Sequence, residues 1–147
     1  IVCAEATLGR GNEAFDIYRR ICPAYLEEKS EIHETEPYCY SQMVTGRASG
    51  NPGHAKNSWL TGTASWTFLS ISQAILGIYP DYNGLRIQPC IPDSWDEYTV
   101  NRKFRGTEYV VHVKRTGTPG MTVDGANVEG CIVPLTGKAK VLVEVSL

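Results

Sequence analysis

Apolar residues follow two different rhythms along this chain, and the change falls near Pro80. Before it they recur at helical spacing. Ala14, Phe15, Ile17, Tyr18 and Ile21 share one face of a helix, and Pro23 stops the run because proline cannot continue it. Val2, Cys3, Ala6 and Leu8 form a shorter cluster ahead of the break at Gly9-Arg10-Gly11, after which Asn12 can cap the second helix. The pattern predicts an αα-hairpin over residues 1–22. Residues 63–77 give the strongest helical pattern, with Trp66, Leu69, Ile71, Ile75 and Leu76 as its core face and Gly77 placed to end it. Residues 23–57 between them are mostly irregular, with one short helical stretch around 40–44 and a loop over 46–53. So long a stretch without regular structure is often functional.

After Pro80 turn signals recur every few residues. Strand-like runs appear at 85–87, 98–104, 108–114, 121–123 and 141–145. Asp124-Gly125, between residues 121–123 and 126–128, is a two-residue hairpin signal. Helices first and strands after predict an α+β chain in two layers or domains, 1–80 and 81–147.

Composition narrows the function without naming it. The chain has 147 residues, enough for one core or one core with a small appendage. A net charge of −2 argues against nucleic acid or an anionic membrane as the main partner. No apolar run approaches the roughly 20 residues that span a bilayer, and no signal peptide is visible. The first residue is Ile1, which agrees with a missing N-terminal part. The cysteines (Cys3, Cys22, Cys39, Cys90 and Cys131) are odd in number and lack CxxC spacing, so they read as buried free thiols in a reducing compartment. His33, His54 and His112 lie in no ligand pattern, and no metal is expected.

The run Lys56-Asn57-Ser58-Trp59-Leu60-Thr61-Gly62-Thr63 puts hydroxyls and a glycine just ahead of the strongest helix. A helix start offers unpaired N–H groups and a partial positive charge, so Thr61, Gly62 and Thr63 can cradle an anion such as phosphate. An ordinary hydroxyl-capped helix start explains the same residues.

Four motifs in fixed order take the reading further: Glu36-Pro37-Tyr38-Cys39-Tyr40-Ser41-Gln42-Met43, Ala55-Lys56-Asn57-Ser58-Trp59-Leu60-Thr61-Gly62-Thr63, Ile75-Leu76-Gly77-Ile78-Tyr79-Pro80, and Gly84-Leu85-Arg86-Ile87-Gln88-Pro89-Cys90-Ile91-Pro92. Together they resemble the C-terminal part of the inverting disaccharide phosphorylases of glycoside hydrolase family 94, densely to about residue 106 and loosely beyond. The resemblance implies a fragment: residues 1–80 as the last helices of an (α/α)6 barrel, and 81–147 as a small antiparallel, jelly-roll-like β-sandwich. It implies cleavage of a β-linked disaccharide, of cellobiose or diacetylchitobiose type, by inorganic phosphate to an α-sugar 1-phosphate. Phosphate is then a co-substrate, and no cofactor or metal is implied.

By the same resemblance Thr61 and Gly62 contact phosphate and Gln42 contacts the donor sugar, while Thr63 reads as the cap of the helix. The general-acid Asp lies upstream, so the fragment alone is expected to be inactive. A cytoplasmic homodimer is implied for the parent, with the missing N-terminal part as this chain's partner. Glu34 and Glu36 read as structural carboxylates and Trp66 as core. Tyr38 and Trp59 are open between sugar stacking and structure. Two rivals remain at this stage. An inverting (α/α)6 hydrolase would need a base carboxylate, and a non-catalytic carbohydrate-binding module would bind sugar through residues 85–147.

Overall fold

The computed structural model describes residues 1–147, which divide into two compact units, Ile1–Ile75 and Leu76–Leu147. The chain is a mixed α+β protein.

The first unit opens with the αα-hairpin, α1 (Val2–Thr7) and α2 (Gly11–Ile21). Arg10, not Asn12, holds the cap position of α2, and no side chain caps it. Ala14 is fully buried. Two 3-10 turns, Pro23–Tyr25 and Glu27–Lys29, lead into α3 (Ser30–His33), which Glu34 ends in the left-handed conformation. The short helix expected around 40–44 is absent. Met43–Val44 is instead a strand, β1, paired antiparallel with β2 (Ala55–Lys56), so a partner eleven residues on overrides the local pattern.

Residues 63–77 are not one continuous α-helix. α4 (Thr63–Leu69) passes into a π-helical turn, Ser70–Ile75. The hydroxyls of Ser70 and Ser72 donate to the carbonyls of Trp66 (2.8 Å) and Phe68 (2.6 Å), competing with the backbone ladder where it widens. The wider turn shifts the phase of the apolar positions from Ser70 onward. Thr67 and Ile75 are buried, whereas Trp66 is 72% exposed and so is not the core residue that its spacing predicts.

The second unit contains two sheets. β3 (Ile78–Asp81), β4 (Gly84–Ile87) and β9 (Ile132–Pro134) make an antiparallel three-stranded sheet with β4 in the middle. The five-stranded sheet has the order β5-β6-β10-β7-β8, from β5 (Glu97–Phe104), β6 (Thr107–Lys114), β7 (Gly120–Val123), β8 (Ala126–Asn127) and β10 (Lys140–Ser146). It is not wholly antiparallel as expected: β6 and β10 run parallel, with Val111 opposite Val143. The excursion through β7, β8 and β9 is long enough for the crossover that a parallel pair needs.

Period-two alternation points Tyr109, Val111 and Val113 of β6 and Val141, Val143 and Val145 of β10 inward. They form one core cluster with Ile78, Leu85, Ile87 and Val133 of the smaller sheet. Asp124 and Gly125, both at positive φ, close the predicted hairpin between β7 and β8. Gly77 is required where it stands. Its φ is 68°, and a Cβ there would lie 2.1 Å from the Gln88 carbonyl oxygen.

Burial of the cysteines is only partly as expected. Cys22 and Cys39 are buried, Cys90 and Cys131 half-buried, and Cys3 exposed. No helix is long and apolar enough to cross a membrane.

Candidate functional site

Two segments of the first unit, residues 36–44 and 55–63, close on each other through a series of paired contacts. The innermost is the β1–β2 ladder, with Val44 opposite Ala55 and Met43 opposite Lys56. Next, the Gln42 N–H donates to the Lys56 carbonyl at 3.1 Å. The Asn57 amide then donates from Nδ2 to Oε1 of Gln42 at 2.8 Å. Farther out, the Trp59 indole N–H donates to Oε1 of Glu36 at 2.7 Å. That bond, with backbone N–H and Ser58 contributions, holds the Glu36 carboxyl below its ordinary range. Tyr38 meets Trp59 edge to face, with ring centroids 6.3 Å apart, and both rings are exposed. Gln42 therefore stands at the end of a strand, not in a helix.

Glu34 and Glu36 do not act as a pair. Glu36 belongs to Trp59, while Glu34 faces Nε2 of His54 at 3.1 Å.

The hydroxyl-rich turn follows directly. Gly62 is the cap residue of α4, and its carbonyl accepts the Trp66 N–H at 3.1 Å. The Thr61 hydroxyl accepts the Thr63 backbone N–H at 3.0 Å and lies 2.7 Å from the Thr63 hydroxyl. Thr61 thus performs the capping turn that the sequence assigns to Thr63. Two hydroxyls sharing one hydrogen bond leave one O–H free to donate outward.

A cavity of about 340 Å³ opens beside this turn. Arg20, Lys29, His33, Tyr40, Gln42 and Thr63 line it together with apolar side chains, and no carboxylate does. Gln42 is thus brought together with Thr63, while Thr61 and Gly62 stay outside the lining and connect to it through the Thr61–Thr63 hydroxyl pair. Burial first, then bonds to Cys22 and Tyr18, hold the Tyr40 phenol above its ordinary value, so it is neutral and able to donate. Arg20 is tied to Asp16 at 2.6 Å. Donors and cations without a carboxylate suit an anionic or hydroxyl-rich ligand. They supply no general acid.

The sequence names Thr63 only as part of the anion cradle or as the helix cap, and it gives Asn57 no role. A readable signal existed for Asn57, since Asn before a serine in a turn tolerates the left-handed conformation that it adopts here at φ 57°. Nothing local marks Thr63 as facing the cavity. No group of three or more His, Cys, Asp or Glu side chains is placed to hold a metal ion.

Comparison with known proteins places these features in a family. A family model described as the glycosyl hydrolase 94 superfamily, catalytic domain, matches residues 1–77. Another, the C-terminal domain of glycosyl hydrolase family 65, matches residues 79–127. A solabiose phosphorylase from Paenibacillus borealis is 37% identical over 141 residues, covering 92% of this chain and 18% of the relative. An N,N'-diacetylchitobiose phosphorylase from Vibrio proteolyticus is 35% identical over 136 residues, covering 89% and 17%. A 3-O-beta-D-glucopyranosyl-beta-D-glucuronide phosphorylase, also from Paenibacillus borealis, is 36% identical over 128 residues, covering 83% and 17%. The chain thus spans less than a fifth of the length of each of these relatives.

Proposed function

The chain belongs to the glycosyl hydrolase 94 superfamily, and from that premise we propose that it is the C-terminal part of an inverting disaccharide phosphorylase. The parent cleaves a β-linked disaccharide, of cellobiose or diacetylchitobiose type, with inorganic phosphate and releases an α-sugar 1-phosphate and a free sugar. Phosphate attacks the anomeric carbon from the face opposite the leaving oxygen. It takes the place of the activated water in an inverting hydrolase, so no catalytic base is needed. What remains is an acid for the leaving oxygen, held outside these residues, and a cradle for the dianion.

Thr61 and Gly62 hold phosphate in this reading, with the outward hydroxyl of the Thr61–Thr63 pair as donor, and Gln42 orients the donor sugar. The observation that carries it is the turn at the start of α4, where the Thr61–Thr63 hydroxyl pair meets a cavity that Thr63 and Gln42 line with no carboxylate. It has the binding half of a phosphorylase without the acid half.

The two family matches divide between residues 77 and 79, which supports assigning 1–80 to an incomplete (α/α)6 barrel and 81–147 to a β-sandwich of jelly-roll type. The parent works in the cytoplasm as a homodimer, with no cofactor beyond phosphate as co-substrate.

The test is sugar 1-phosphate release by the full-length parent from cellobiose and from diacetylchitobiose, with and without phosphate, beside Thr61→Ala. Phosphate-dependent product that falls about 10²-fold in the variant supports the reading. Phosphate-independent cleavage makes the parent a hydrolase, and a fully active variant reduces Thr61 to a helix cap. The 147 residues alone are expected to release no product.

A further inference from the structure

Gln42 can meet a sugar in two ways, because its side chain ends in an acceptor oxygen on one side and a donor NH2 on the other. Which end faces the ligand decides what it recognises. One contact of Gln42 bears on that choice. Its backbone N–H is held by the Lys56 carbonyl at 3.1 Å, and its Oε1 is taken by the Nδ2 donor of Asn57 at 2.8 Å. With Oε1 engaged, the NH2 is the end left to meet a ligand in the cavity that Gln42 lines.

Asn57 is held for this contact. It lies one residue beyond β2 at φ 57°, a conformation uncommon for any residue with a side chain and most accessible to Asn. Lys56 pairs with Met43 on one side of it, and the Trp59–Glu36 bond fastens the chain on the other. The amide of Asn57 therefore approaches Gln42 from a fixed backbone.

We propose that Asn57 is a positioning residue: by engaging Oε1 of Gln42 it turns the Gln42 amide so that NH2, not oxygen, meets the donor sugar. This rests on the assignment of Gln42 to the donor sugar made above. The subsite then recognises an acceptor on the substrate, a hydroxyl oxygen or the carbonyl oxygen of an acetamido group. A group that can only donate is turned away.

The test is a cycle of variants in the full-length parent: Asn57→Gly, Asn57→Asp, Gln42→Ala, and Gln42→Ala with Asn57→Gly. Phosphorolysis of whichever of cellobiose or diacetylchitobiose the parent cleaves is the readout, as kcat and KM separately. Glycine keeps the positive φ and removes only the amide. Asn57→Gly is expected to lower kcat/KM about tenfold, and to change it less than about twofold once Gln42 is alanine. Asn57→Asp is expected to be worse than glycine, because its carboxylate repels Oε1 and swings NH2 away from the sugar.

A silent Asn57→Gly beside a costly Gln42→Ala overturns the inference alone. So does a glycine effect that persists in full without Gln42, since Asn57 then acts on the fold or the ligand directly. Parental activity in Asn57→Asp reverses the donor and acceptor of the pair, and overturns it too. If Gln42→Ala is itself silent, the sugar assignment of Gln42 fails and the inference falls with it.

Discussion

The two units handle apolar surface in opposite ways. In Leu76–Leu147 the alternating strands turn their valines, Tyr109 and Leu85 into one shared cluster. In Ile1–Ile75 the large side chains of Leu8, Ile32, Trp59, Leu60, Trp66 and Phe68 are exposed, while small residues such as Ala14, Ala55 and Thr67 are buried. The β unit contains its own core. The helical unit leaves more of its large apolar side chains exposed than it buries, which is what part of a larger helical assembly would do.

Paired truncations would break this contrast most sharply. Leu85→Ala removes a fully buried side chain and should cost about 2–5 kcal/mol, read as faster amide exchange along β6 and β10. Leu60→Ala, at a residue 82% exposed, should change exchange in α2 by less than about 0.5 kcal/mol. Equal effects would mean that the helical unit has a core of its own. Next in size is Gly77→Ala, which must place a Cβ against the Gln88 carbonyl at positive φ. A loss of about 1–3 kcal/mol is expected. It should appear first as lost protection of the Gln88 N–H, which donates to Gly77 at 2.7 Å; unchanged protection would show that the strand start can shift freely.

The smallest effect is acid sensitivity. Lys138, and then the Leu142 N–H, hold the Asp124 carboxyl below its ordinary value of 3.8. A carboxyl depressed on folding contributes stability that is present above that unfolded value and lost as pH falls through the lower folded one. The advantage of the parent over Asp124→Asn should therefore be constant above about pH 4 and shrink below it. A difference that grows in acid would contradict the assignment.

The long central strands were legible because every second residue of β6 and β10 is buried. The edge strands of the smaller sheet were not. β3 and β9 each contain a proline, Pro80 and Pro134, which reads as a break in a sequence yet is tolerated on a sheet edge. Trp66 lies in α4, ahead of the widened turn, and its spacing marks an apolar helix face that residues 1–75 leave uncovered. The same limit applies to the site. The motifs name Thr61, Gly62 and Gln42, but the order of contacts between residues 36–44 and 55–63 arises from pairing at a distance. No local pattern says that Asn57 reaches Gln42, or that Thr63 shares the cavity with it.

The place of β10 between β6 and β7 has a consequence for synthesis. On the ribosome, β5–β6 and β7–β8 emerge as separate hairpins, and neither touches the other in the finished sheet except through β10. The sheet therefore cannot assemble until residues 140–146 have cleared the exit tunnel, and any message truncated before them yields two hairpins without the strand that joins them.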